Sequence, residues 1–263
     1  MSLTGKTEVK ELVLSKGVIF GDVAQPKQSI YEQSVTQNYM LGIRLIYGDG
    51  REFRYARAGA VALAKALMCH GSIARTELFE EDQTGNYPAV GDTTITVEIG
   101  TGLTLVEKEN ELAGGTLLVN KGSAIGDIYQ IVGSYVGTTD TNVSLVLDSP
   151  IRTTWTTSTE ITIYPSPWQN TLVATEPAAA VAVGVPQIAV DVDYYYWSQT
   201  KGPAAIIVDA TETIVIGDLV GAPASQAAAG KVGIWVTLTK PWGTCVLANT
   251  TVDEPAIIWL DLP

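Results

Sequence analysis

"DVDYYYWSQTKGPAAIIVD", Asp191 to Asp209, sets Tyr194, Tyr195, Tyr196 and Trp197 in an unbroken row. β-Branched residues and a Lys201-Gly202-Pro203 turn signal flank the row, which predicts a strand. Successive side chains of a strand point to opposite faces, so Tyr194 and Tyr196 share one side while Tyr195 and Trp197 share the other. A small β-barrel buries one pair. The second pair, at roughly 150–250 Å2 per ring, needs a cover from elsewhere. The sequence expectation is that a neighbouring domain or a second copy supplies it, which makes these four residues candidate interface residues.

Working outward, the chain from about 183 to 263 is a series of short strands: "AAIIVD", "TIVIGDLV", "KVGIWVTLT", "TCVLANT" and "AIIWLDLP". That density suits a small closed or nearly closed barrel. Residues 85–165 give a second β unit through "TTITVEIG", "GTLLVNKG", "IYQIVGSYVG", "VSLVLDSP" and "EITIYPSP", punctuated by Gly, Asp, Asn and Pro. An Ala- and Pro-rich stretch, 166–182, reads as the linker between them.

In "LGIRLIYGDGREFRYARAG", Leu41, Ile43 and Leu45 alternate, a Gly48-Asp49-Gly50 turn follows, and Phe53 and Tyr55 alternate again. This predicts a β-hairpin. Ala58–Cys69, with Leu63 and Leu67 four apart, predicts a short helix or a connector within 41–84. Residues 1–40 are polar with few core-sized clusters and predict an extended arm, Leu14 and Tyr31 being its candidate interface residues. The expected fold is mainly β: two small barrel or sandwich domains, an N-terminal arm and little helix.

The 263 residues carry a formal net charge of -12, and only 17% are charged, against about 25% in ordinary soluble proteins. The acidity argues against nucleic acid as a partner. The low charged fraction argues for contacts with other chains. No stretch has the apolar core of a signal peptide or the length needed to cross a bilayer, so no membrane partner is expected.

Chemistry is sparse. One histidine, His70, follows Cys69 directly, which cannot set a nucleophile and base face to face within one regular element. One His and two distant Cys supply no zinc site. For Cys69 and Cys245 a long-range disulfide is one reading and two separate buried thiols the favoured one. Asp191-x-Asp193 and "TTDTN" lack the acidic density of a calcium loop. "GDG" at 48–50 and "GTG" at 100–102 are too short to cradle phosphate. Glu80, Glu81 and Asp82 are adjacent, whereas glycosidase carboxylates face each other across a cleft. Trp155, Trp168, Trp197, Trp235, Trp242 and Trp259 form no single platform, which favours core or interface places. No cofactor and no enzymatic activity are expected.

The C-terminal pattern does resemble a known group. "VGVPQIAVDVDYYYWSQTKGPAAIIVDATETIVIGDLV", then "AAAGKVGIWVTLT" and a terminal "AIIWLDLP", is similar to an arrangement in virion structural proteins of tailed bacteriophages. There an aromatic strand ends in Trp-x-Gln-x-x-Gly-Pro and leads to a Gly-Asp-x-Val strand and a small-residue loop. "AGGTLLVNKGSAIGDIYQIVGS", "LVLDSPIRTTWTTSTEITI" and the hairpin from Leu41 fit the same group. Within it, the chain most resembles capsid decoration (cement) proteins, with an added β domain at 85–165 that the short lambda-like ones lack. The resemblance implies a chain made in the host cytoplasm that docks on the capsid exterior. Its partners would be the major capsid protein and its own copies, commonly as trimers, with the arm hooked onto neighbours. A glycan-binding fibre or baseplate component, and a hydrolase of surface polymers, are the competing expectations.

Overall fold

The computed structural model describes residues 18–20, 26–71, 78–85, 87–100, 109–135, 142–174, 181–223, 229–235, 240–248 and 253–262. It is nearly all β. In chain order the strands are β1 (Val18–Phe20), β2 (Arg44–Ile46), β3 (Glu52–Arg57), β4 (Cys69–His70), β5 (Glu81–Asp82) and β6 (Thr94–Glu98). β7 (Thr116–Lys121), β8 (Ile128–Ser134), β9 (Asn142–Leu147), β10 (Glu160–Tyr164), β11 (Leu172–Val173) and β12 (Ala182–Pro186) follow. The last are β13 (Tyr195–Ile207), β14 (Leu219–Gly221), β15 (Gly233–Ile234), β16 (Gly243–Leu247) and β17 (Pro255–Asp261). They form two compact units. One spans 71–171 with 179–181; the other joins 1–70, 172–178 and 182–263. The hairpin from Leu41 therefore belongs with the C-terminal strands.

The discontinuous unit is organised by β13. Its first half pairs antiparallel with β3, from Tyr195↔Arg57 to Lys201↔Glu52. Its second half pairs with β17, from Lys201↔Asp261 to Ile207↔Pro255. The expected turn at Lys201-Gly202-Pro203 does not form: the strand runs through all three residues. A register shift between Gln199 and Lys201 and a φ of 80° at Gly202 bend it where it changes partners. Such a bulge needs a residue free to adopt positive φ, and glycine provides it.

From β13 the sheet continues β17, β16, β14, β15. It returns to its start through a parallel bridge, Val208↔Val232. Val232 N–H donates to Ile207 O at 2.8 Å and Asp209 N–H to Val232 O at 2.9 Å. Ala204, Ile206, Val220, Val232, Cys245, Ile258 and Leu260 fill the interior. The hairpin forms as predicted, with Leu45 opposite Phe53 and both fully buried. Asp49 Oδ1 accepts the Arg51 N–H at 3.0 Å, and Gly50 turns at φ 89°.

The helix expected in Ala58–Cys69 is absent. Its backbone groups are claimed by distant partners. Leu63 exchanges both hydrogen bonds with Val190, Met68 N–H donates to Gly230 O, and Ala174 N–H donates to Met68 O. Long-range pairing outweighs a helix propensity of a few tenths of a kcal/mol per residue.

The continuous unit is one antiparallel sheet, β5-β10-β7-β8-β9-β6, curled around Leu117, Val119, Tyr129, Ile131, Leu145, Trp155 and Ile161. The five strands read from its sequence all appear. A side chain joins the two ends of the sheet. Gln83, fully buried just after β5, accepts the Glu98 N–H at Oε1 (2.9 Å) and donates from Nε2 to Glu98 O (3.0 Å) in β6. The Glu98 carboxylate in turn accepts the Thr84 N–H at 2.9 Å and its hydroxyl at 2.7 Å.

Candidate assembly surfaces

The aromatic row is covered by its own chain. Trp197 and Tyr196 are 1% and 0% exposed, and Tyr194 and Tyr195 are half-buried. On the Tyr195/Trp197 side, Tyr55 of β3 stacks on Tyr195 with centroids 5.9 Å apart and meets Trp197 edge-on at 5.0 Å. Tyr39 lies 5.2 Å from Trp197. Tyr196, on the other face, hydrogen-bonds the Cys69 thiol.

The cover comes from residues 28–39, part of the segment expected to be an arm reaching other subunits. Gln28, 2% exposed, holds it down. Its carbonyl accepts the Trp197 indole N–H at 2.9 Å. Its Oε1 accepts the Tyr55 hydroxyl at 2.7 Å and the Asn38 amide at 3.0 Å, and its Nε2 donates to Tyr195 O at 2.9 Å. Ser34 and Tyr195 exchange backbone hydrogen bonds of 3.0 and 2.8 Å. At the end of the row, the buried Arg57 guanidinium pairs with Asp193 at 2.6 Å. Tyr196 and Trp197 are thus core residues, which corrects their reading as an interface: the uncovered pair has an intrachain cover. Tyr31 is well exposed, and Leu14 lies outside the described residues.

The outward apolar surface lies elsewhere. In β17, Ala256, Ile258 and Leu260 face the barrel interior, yet the alternate positions Ile257 and Trp259 are also apolar, at 39% and 50% exposed. The registers place Pro203, Trp259, Thr244 and Leu219 in one row across β13, β17, β16 and β14. Ala205, Ile257 and Leu247 form the next row. Neither row contains a charge. Beyond the first, Lys201 and Asp261 stand 3.7 Å apart as an ion pair. "AIIWL" was the sequence signal: a strand apolar at every position is apolar on both faces.

The continuous unit has a face of its own. Thr162, Leu118 and Ile128 form a cross-strand row, with Val132 outward on β8 and Ile125 in the preceding turn. Its flanking charges are paired too, Lys121 with Glu160 and Arg152 with Asp127.

Both cysteines are free and buried. Burial pushes the Cys69 thiol up to about 12, only partly offset by the Tyr196 hydrogen bond. Burial, then the nearby Asp218 carboxylate, raises that of Cys245. Neither thiol is primed as a nucleophile. Among the described residues no group of three His, Cys, Asp or Glu is placed to hold a metal ion, and no helix is long and apolar enough to cross a membrane. No family model, curated protein or solved structure matches the chain.

Proposed function

We propose that this chain is a non-enzymatic structural protein of a tailed-phage virion that binds the capsid exterior and stabilises it, as trimers. One observation carries the reading: each β unit, taken by itself, turns an apolar face to solvent (Trp259, Ile257, Leu219 and Leu247 on one; Leu118, Ile128 and Ile125 on the other), and the charges described beside each are paired. A chain with two adhesive faces is bivalent, and bivalence is what cross-linking a shell requires. The sequence likeness to decoration proteins supports the same reading and supplies the shell as the partner. Stabilisation would be passive, with many copies each removing apolar area from water.

The test is co-sedimentation of the purified chain with empty, expanded heads of the phage that encodes it, followed by calorimetry of the decorated heads. Saturable binding with a raised head melting temperature is expected. No binding, or binding without a thermal effect, overturns the proposal. The second reading, a fibre or baseplate component that binds host glycans, draws on the half-exposed Trp259. Glycan-array binding abolished by Trp259→Ala would put it first.

A further inference from the structure

We infer that the outer face of β13, β17, β16 and β14, centred on Trp259, is where a second copy of this chain packs. This deepens the reading of the chain as an assembling protein and leaves the shell to another surface.

The pattern comes first. A sheet with one face in water alternates apolar and polar residues, whereas a strand covered on both sides is apolar throughout. In Ala256-Ile257-Ile258-Trp259-Leu260 every residue is apolar, yet Ile257 and Trp259 stand in solvent. The strand is composed for a cover that a single copy leaves off. β17 is hydrogen-bonded on both edges, to β13 and to β16. The missing cover therefore packs side chains on a face and does not add a strand.

Area gives the scale. Trp259, Ile257, Leu219 and Leu247 are exposed by 50, 39, 48 and 53%. With Pro203 and Ala205 they present about 400–500 Å2 of apolar surface, on a scale of roughly 150–250 Å2 for a whole aromatic side chain. A standard interface buries about 800 Å2 per partner, some 55–65% of it apolar. The face matches the apolar share of one such interface. It also has what an interface centre uses, a tryptophan ringed by aliphatic side chains.

Charge points to the occupant. Two chains of net charge -12 repel wherever acidic surfaces meet. Among the described residues neither row of this face carries a charge and the Lys201–Asp261 ion pair stands at its margin, so two copies can meet here without setting acidic groups against each other. A basic partner would gain nothing from it.

The test is sedimentation velocity and light scattering of the full chain from about 1 to 100 μM, for wild type, Trp259→Lys, Leu247→Lys and, as a control, Ile128→Lys. Wild type is expected to be multimeric. Either face variant should weaken association at least 30-fold, the effect of losing a hot-spot side chain. The control should leave the mass unchanged. Circular dichroism and Tm identify a variant that misfolds, and the other face variant then decides. A wild type monomeric at 100 μM, or association insensitive to both face variants, overturns the inference. Head co-sedimentation of the same proteins separates the two claims. A monomer that binds heads removes the inference and leaves the proposed function; a multimer that ignores heads does the reverse. Face variants that keep their mass but lose head binding assign the face to the shell and also overturn the inference.

Discussion

Replacing Gln83 by leucine tests whether one side chain closes the continuous unit. The amide supplies both an acceptor and a donor to the Glu98 backbone, at 2.9 and 3.0 Å, and is fully buried. Leucine keeps much of the volume and offers neither. Each hydrogen bond is worth about 1 kcal/mol net, and stranding its partner away from water costs about 1–3 kcal/mol. Glu98 is half-buried, so water recovers part of the loss. The expected cost is about 2–4 kcal/mol, a large fraction of the roughly 5–15 kcal/mol that holds a domain folded. Because the clamp is local, the damage should appear first as opening of β6. Hydrogen exchange reads this directly. The Glu98 amide should exchange about 30- to 700-fold faster, at 1.4 kcal/mol per decade, while amides of β7 and β8 change less. Urea unfolding of the same variant should lose the same 2–4 kcal/mol. Exchange at Glu98 within threefold of wild type, with stability within about 1 kcal/mol, would show that the backbone curl alone holds the unit shut.

Tyr55→Phe removes the hydroxyl that donates to Gln28 and accepts the Asn38 N–H. It should cost about 1–2 kcal/mol and make residues 28–39 cut faster by a nonspecific protease, read by mass spectrometry. At Gly243 an added Cβ would lie 2.1 Å from Trp259 O and 3.1 Å from Leu260 Cα. Gly243→Ala should therefore push β16 off β17 and cost 3 kcal/mol or more in chemical denaturation. Cys69 and Cys245 should both resist a thiol reagent at pH 8 in the native protein and both react in guanidinium. The neutral thiol is the favoured form of buried Cys69 at every pH below about 12, so raising the pH to 9 should not speed its labelling. Labelling at the free-thiol rate would place it at the surface.

Local signals made much of the fold legible. Period-two alternation with Gly-Asp turns gave the hairpin and the five strands of the continuous unit, because a strand's facing is set by immediate neighbours. What stayed hidden depends on distant partners. Nothing periodic marks Gln28 or Tyr39 as the lid over Trp197, since their role comes from contacts some 160 residues away in sequence. The Ala58–Cys69 helix failed for the same reason, its backbone being claimed by residues near 174, 190 and 230. The aromatic row needs a cover on its second side, and an intrachain cover and a second copy look alike in a sequence. The outer apolar face was already written in "AIIWL", where composition on both sides of one strand is a local property.

The 13-residue β13 also constrains the order in which the chain can fold. It mates residues 52–57 with 195–201, so the hairpin has no sheet to join until most of the polypeptide has left the ribosome. Between them, the six-stranded sheet β5 to β10 of the continuous unit pairs only among strands inside 81–164 and is fully synthesised first. Vectorial synthesis thus lets the inserted sheet mature early, while residues 28–57 wait without Tyr195 and Trp197, the rings that Tyr39 and Tyr55 pack against. That waiting period is when nascent chains are most exposed to mispairing, and a stalled or truncated product ending before Tyr195 would never escape it.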